Sequence, residues 1–374
     1  MATKHPRHNL QLLDELGQSA WLDYIRRGLL DSGEFEKMVL SGWIQGVTSN
    51  PTIFLKAIAG SHDYDSAIQD LREQGLQDPY EAFLALATED LRAAADVLRP
   101  IYDRSAARDG YISFEAQSGT TEAMVGEARR AFSLLDRPNV LIKIPATNPG
   151  IEATRILSSG GINVNVTLLF DVDVYERVAL AYIEGLEERQ RNGLPLDRLA
   201  SVASFFVSRV DTKIDALLPE TSPLRGRVAV ANAAAAYSRF RLLFSGPRWQ
   251  SLADAGANVQ RPLWASTGTK NPSYSDTLYV DELIGADTVN TMPEATLQAF
   301  LDHGRPGLTL VAGAGGVDVL RQAEAAGIDL RQAAAELLKE GLASFEKDFE
   351  RLTDELRKKL LSPEEFVLPE AAGP

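Results

Sequence analysis

YISFEAQSGTTEAMVGEARRAFSLLDRPNVLIKIPAT, residues 111–147, is the stretch on which the fold turns. Tyr111–Glu115 and Asn139–Ile144 are short, mostly apolar runs, the pattern of strands covered on both faces, and Thr121–Leu135 between them repeats apolar residues at helical spacing. A strand, a helix and a strand in that order need a crossover, and crossovers join parallel strands. Lys143 alone breaks the second strand. A lysine there can snorkel from an edge strand or pair with a carboxylate. It can also serve as a nucleophile, because a desolvated ammonium loses its proton more easily and the neutral amine can attack a carbonyl to form a Schiff base.

Working outward, the strand–helix unit recurs. Upstream, Ser19–Leu22 and Gly46–Thr48 are expected as strands with a helix over Glu34–Leu40 between them, followed by a helical region from Asp63 to about Ser105, interrupted near Gly75 and Pro79. Downstream come a helix over Gly150–Ser158, a strand over Gly161–Leu168, a helix over Asp171–Arg191 and a strand over Ser201–Val207. A helix begins near Arg209, and Pro262–Ala265 and Asp287–Asn290 are the last two strands. Eight such units indicate an α/β protein, a closed (β/α)8 TIM barrel. The rival, an open doubly wound sheet, normally carries a glycine-rich turn after its first strand, whereas this chain reads Asp23-Tyr24-Ile25-Arg26. Residues 316–361 are expected as C-terminal helices on the barrel, by the spacing of Leu320, Ala323, Leu330, Leu337, Phe345 and Phe349, and 362–374 as a frayed tail. Residues 1–374 then form one barrel domain. The glycine-rich LVAGAGGVDVL, residues 310–320, lacks the lysine and hydroxyl residue of a phosphate-binding loop and is expected as a tight turn.

Composition narrows the function. A formal charge of −14 and a pI near 4.9 argue against nucleic acid and anionic membrane as partners. There is no cysteine, which suits a reducing compartment, and the four histidines (His5, His8, His62 and His303) lack metal-ligand spacing, so no metal is expected. The N-terminus lacks a secretory pattern and no run of about 18 apolar residues occurs. A soluble cytoplasmic protein acting on small molecules is expected, its oligomeric state open.

Barrel enzymes place their catalytic groups at the C-terminal ends of the strands, and unusual polar residues fall there in seven of the eight units. Asp23 follows the first strand, Asn50 the second in VTSNP, and Glu115 ends the third. Lys143 is on the fourth, Asn165 and Thr167 on the fifth, Ser204 and Arg209 flank the sixth, and Ser266 and Lys270 follow the seventh. Schiff-base chemistry needs these parts. Lys143 can attack the carbonyl, Glu115 can exchange protons with the carbinolamine through a water that Thr167 holds, and Asp23 can take the proton of the hydroxyl whose carbon loses its bond. Asn50 and Asn165 can donate to and accept from substrate hydroxyls. Arg209, with Ser204, Ser266 and Lys270, can make a basic pocket for a phosphate. The competing reading of Arg209 is a surface ion pair with Asp211.

With those residues laid out, the chain resembles the transaldolases of the class I Schiff-base aldolase superfamily. VTSNPTIF (47–54) is similar to the family's asparagine–proline signature, LIKIPAT (141–147) to its lysine motif, NVNVTLLF (163–170) to its fifth-strand motif and SFFVSR (204–209) to its sixth-strand motif. The resemblance runs from about Asp23 to the eighth strand. It implies transfer of a dihydroxyacetone unit from a ketose phosphate, such as sedoheptulose 7-phosphate or fructose 6-phosphate, to an aldose phosphate in the non-oxidative pentose phosphate pathway, with no metal or organic cofactor. It implies Lys143 as the Schiff-base lysine, Glu115 and Thr167 positioning a water, Asp23 as general base and Asn50 and Asn165 on the triose. It further turns Ser204 and Phe206 toward the site and Arg209 toward phosphate. After the seventh strand the best-known branch has a serine closely followed by arginine. Here the sequence is ASTGTKNPSYSDTLYVDELIG, similar to a longer-chain bacterial branch that also occurs fused to phosphoglucose isomerase. Nothing after Gly316 resembles an isomerase, so a stand-alone enzyme is expected. Two other readings stay open: an aldolase that releases dihydroxyacetone to water, against which Phe206 stands where an activating tyrosine can sit, and a sugar-phosphate-binding protein without chemistry.

Overall fold

The computed structural model describes residues 8–310 and 314–361. Its strands are β1 (Gln18–Leu22), β2 (Gly46–Thr48), β3 (Ile112–Glu115), β4 (Val140–Pro145), β5 (Val164–Leu169), β6 (Ser201–Phe206), β7 (Gln260–Ala265) and β8 (Thr288–Met292). Every neighbouring pair is parallel and β8 returns to β1, which closes the barrel.

Helices α1 (Asn9–Glu15), α2 (Arg27–Asp31) and α3 (Glu34–Leu40) flank the first strand. Then follow α4 (Pro51–Ala59), α5 (Asp65–Glu73), α6 (Pro79–Arg104), α7 (Thr121–Leu135), α8 (Asn148–Ser159) and α9 (Val172–Arg191). The remainder are α10 (Ser208–Asp215), α11 (Val228–Leu243), α12 (Pro247–Asp254), α13 (Leu278–Asp281), α14 (Glu294–His303), α15 (Ala314–Ala325) and α16 (Leu330–Leu360). The expected eight-unit barrel with C-terminal helices is what forms. The tail expected to fray and residues 311–313 of the glycine-rich turn lie outside the described residues.

The strands are buried along their whole length except at Glu115, because a parallel barrel is covered by side chains within and helices without. Tight strand-to-helix turns hold the upper rim. Asn50, Thr120, Thr147 and Asp171 each cap the helix that follows, their side-chain oxygens accepting from backbone N–H groups of its first turn. At the β4–α8 turn a side chain on Gly150 would lie 1.9 Å from the Pro145 carbonyl oxygen, so only glycine lets the helix start so close to the lysine strand.

The opposite end is closed by a buried polar plug. The Arg261 guanidinium on β7 donates to the Thr288 carbonyl at 2.6 Å and faces Asp109 at 3.3 Å, and the Trp21 indole donates to the same carboxylate at 2.8 Å. With that end sealed, the open mouth lies at the C-terminal ends of the strands. The last helix, α16, packs on α4, α5, α6, α10 and the end of β5, so it crosses this mouth.

Candidate active site

Lys143 is where the polar residues of the mouth converge. In register across the sheet, Glu115 on β3 pairs with Lys143 on β4, and Lys143 pairs with Asn165 on β5. The ammonium donates to Glu115 Oε2 at 2.7 Å and to the Ser49 carbonyl at 3.0 Å, with only 5 % of the lysine side chain exposed. Lys143 therefore does not snorkel; it faces the barrel interior. Burial raises the Glu115 carboxyl above its ordinary range, against the pull of Lys143.

Asp23 follows β1 and accepts from the Thr48 hydroxyl at 2.7 Å, which also meets the Thr291 hydroxyl at 2.7 Å. Burial raises the Asp23 carboxyl too, opposed first by that hydrogen bond and then by the charges of Lys143, Arg209 and Lys270. One carboxylate thus feels the lysine and both cations assigned to phosphate. Arg209 lies over the Phe206 ring at 5.2 Å, and among the described residues it makes no ion pair. Asp211 faces elsewhere, accepting from the Ala229 backbone at 2.8 Å and the Tyr279 hydroxyl at 2.9 Å, so the Arg209–Asp211 pair does not form. Two helical residues two apart cannot share a face.

The other expected residues divide by how much of their polarity is already engaged. Asn165 is fully buried; its amide donates to Ser113 at 3.1 Å and its carbonyl accepts from Ser204 at 2.7 Å. The Asn50 carbonyl caps α4 by accepting from the Ile53 N–H at 3.0 Å, which leaves its amide for the cavity it lines. The Thr167 hydroxyl, on β5 opposite Pro145 and two residues beyond Lys143's partner Asn165, is buried without a protein partner among the described residues. Ser266, strained at φ 56°, meets the Ser208 hydroxyl at 2.8 Å, and Lys270 is exposed on the rim. Thus Lys143, Glu115, Asp23, Asn50, Asn165, Thr167 and Ser204 come together, with Arg209 over Phe206 beside them and Ser266 and Lys270 at the edge.

Several contributors were not singled out from the sequence. Thr48 and Ser49 stand in the quoted VTSNP, but a hydroxyl that orients Asp23 and a carbonyl that receives an ammonium carry no spacing signal. Helix α4 is a miss of the same kind, although Asn50 followed by Pro51 is a helix-start signature. Roofing over Lys143 comes from α16. A cavity of about 260 Å³ lies between the mouth and this helix, lined by Ser49, Asn50 and Glu115 below and Leu342, Phe345 and Phe349 above. Neither a heptad-like stripe nor a tail position distinguishes such a helix from ordinary packing.

Fold and site define a (β/α)8-barrel enzyme class built around a buried lysine–carboxylate pair. The chain belongs to the transaldolase/fructose-6-phosphate aldolase family, whose model matches residues 20–356. It is 46 % identical over 361 residues to a transaldolase of Saccharopolyspora erythraea, covering 94 % of this chain and 98 % of that one. A transaldolase of Mycobacterium marinum is 43 % identical over 371 residues, 96 % of this chain and 99 % of its own. Transaldolase 1 of Streptomyces coelicolor is 45 % identical over 361 residues, 94 % of each chain. Among the described residues no helix is long and apolar enough to cross a membrane.

Proposed function

We propose that this protein is a transaldolase, a transferase that moves a dihydroxyacetone unit from sedoheptulose 7-phosphate or fructose 6-phosphate to an aldose phosphate in the non-oxidative pentose phosphate pathway of the cytoplasm. The observation that carries the reading is the buried Lys143–Glu115 pair, 2.7 Å apart, with Asp23 across the mouth.

A carboxyl that burial has pushed upward is a ready acceptor for the ammonium proton at hydrogen-bond distance. The proton passes to Glu115, and the Lys143 amine attacks the ketose carbonyl. Glu115, now the acid, returns the proton through a water to the carbinolamine hydroxyl, which leaves as water. Thr167, whose buried hydroxyl has no protein partner among the described residues, holds that water. Asp23 takes the proton from the hydroxyl on the carbon to be released. The carbon–carbon bond then breaks toward the iminium, which becomes an enamine, and the aldose phosphate departs. An incoming aldose phosphate reverses these steps on a different aldehyde. Asn50 donates to the bound triose, and Asn165, fixed between Ser113 and Ser204, presents its remaining amide hydrogen to it. Arg209, which makes no ion pair among the described residues, receives the phosphate, with Ser204, Ser266 and Lys270 around it and Phe206 packed beneath. Neither metal nor organic cofactor takes part in these steps.

The test is formation of sedoheptulose 7-phosphate from fructose 6-phosphate and erythrose 4-phosphate. Wild-type protein should form it, and Lys143→Ala, still folded by circular dichroism, should lose the rate by about 10⁴-fold or more. Wild-type rates in Lys143→Ala would end the proposal.

A further inference from the structure

We propose that Phe345 on α16 decides between transfer and release: its ring roofs the lysine, keeps solvent from the enamine and holds the triose until an aldehyde arrives. This rests on the transaldolase reading and assigns a positioning role to a helix outside the barrel.

Three independent observations hold the roof in place. The Phe345 ring centre lies 5.9 Å from the Lys143 ammonium, at the outer reach of a cation–π contact, and its side chain closes the cavity that Ser49, Asn50 and Glu115 floor. Four residues on, Phe349 meets Tyr80 and Phe83 edge-on at 5.8 and 5.6 Å, so one face of α16 is anchored to α6. The helix is tied along its length: Lys213 of α10 bonds Glu336 at 2.8 Å and Glu340 at 2.7 Å, Asp348 accepts from Thr52 of α4, and Lys359 reaches Asp65 at 2.8 Å.

The barrel deforms to meet it. β5 slips register against β6 between Val166 and Leu169, and Leu168 takes φ 60°, a conformation a branched side chain adopts only when its surroundings impose it. Leu168 thereby lines the same cavity and fits against Gly341, where an added side-chain carbon would lie 2.8 Å from a Leu168 methyl. A strained residue and a glycine facing each other bring α16 down onto the lysine strand's neighbour.

The chemical consequence concerns one branch point. After cleavage the enamine can add to an aldehyde, which is transfer. Alternatively its nucleophilic carbon takes a proton from solvent to give the iminium, water adds to that carbon–nitrogen bond, and Lys143 leaves with the nitrogen's electron pair, releasing dihydroxyacetone. Both branches end with one water adding to an iminium to free Lys143; only the second needs a proton delivered from solvent to the enamine carbon. An aromatic roof denies solvent that access.

The experiment compares dihydroxyacetone release from fructose 6-phosphate alone with sedoheptulose 7-phosphate formation when erythrose 4-phosphate is added. Phe345→Ala should raise the ratio of release to transfer about tenfold while a borohydride-trapped adduct still forms, and Phe345→Leu, which keeps bulk, should restore most of the wild-type ratio. Gly341→Ala, which forces α16 or Leu168 to shift, should move the ratio the same way and covers the case in which Phe345→Ala fails to fold. Adduct formation with an unchanged ratio in the folded variants would overturn the roof. Absence of any adduct in wild-type protein would instead overturn the Schiff-base reading beneath it.

Discussion

Asp23 and Glu115 are both carboxyls raised by burial, yet their neighbours differ in a way that suits the two tasks proposed for them. Glu115 touches the ammonium directly, whereas Asp23 is held by the Thr48 hydroxyl and meets Lys143 only through space. A group 2.7 Å from the nucleophile suits proton exchange at nitrogen, and one set across the mouth suits the proton at the cleaved carbon's hydroxyl. Asp23→Asn should therefore still trap the ketose on borohydride reduction but cleave the carbon–carbon bond ~10²–10⁴-fold more slowly, as for loss of a general base. Loss of trapping with cleavage retained would exchange the two roles. At this scale the sequence was legible where chemistry forces a rare residue into an apolar run: Lys143, Glu115 and Asn165 declare themselves against their neighbours. Thr48, Ser49 and Ser113 do not, because a hydroxyl or a backbone carbonyl in a β-rich stretch is ordinary until its partner is known.

Among the elements, α10 shows how a helix is fixed so that one side chain faces the site. Its Asp211 accepts from the first turn of α11 and from Tyr279 of α13, which turns the preceding Arg209 over Phe206. Burial, reinforced by Asp215, pushes the Asp211 carboxyl up to about 6 from its ordinary 3.8, against the Ala229 and Tyr279 hydrogen bonds. A raised carboxyl means the folded state keeps a proton that the unfolded chain gives up. The associated stability is full below about pH 4 and is lost as pH rises through about 6, a total of roughly 3 kcal/mol. Asp211→Asn, which cannot ionise, should be free of that loss: its stability relative to wild type should rise by up to about 3 kcal/mol between pH 4 and 7 in urea denaturation, whatever the constant offset from altered hydrogen bonds. An offset that does not move with pH would show Asp211 to be ionised throughout. The strands and the longer helices were legible from periodicity, and most of their limits fall within a residue or two of expectation. The helices that were not expected, α1, α2, α4, α13 and α14, are short, and α4 sits directly after β2, where the sequence reads as a motif before it reads as a helix.

For the molecule as a whole, closure of the barrel seals the lower end with the Arg261–Asp109 network and leaves chemistry to the upper rim, which is why residues more than a hundred positions apart share one cavity. That much follows from counting strand–helix units. The placement of α16 over the mouth does not, since an amphipathic helix after a barrel has many apolar grooves to fill and only tertiary contacts choose among them. Lys143 gathers both levels, buried by the barrel and roofed by the tail helix. Its reactivity is open to one direct measurement: intact mass after fructose 6-phosphate and borohydride, with peptide mapping of the product. A reduced triose on the peptide carrying Lys143, absent in Lys143→Ala, is the expected outcome. An unmodified Lys143 in folded protein that binds the sugar, or an adduct on another lysine, would mean that the buried ammonium is a structural partner of Glu115 and that the catalytic account is wrong.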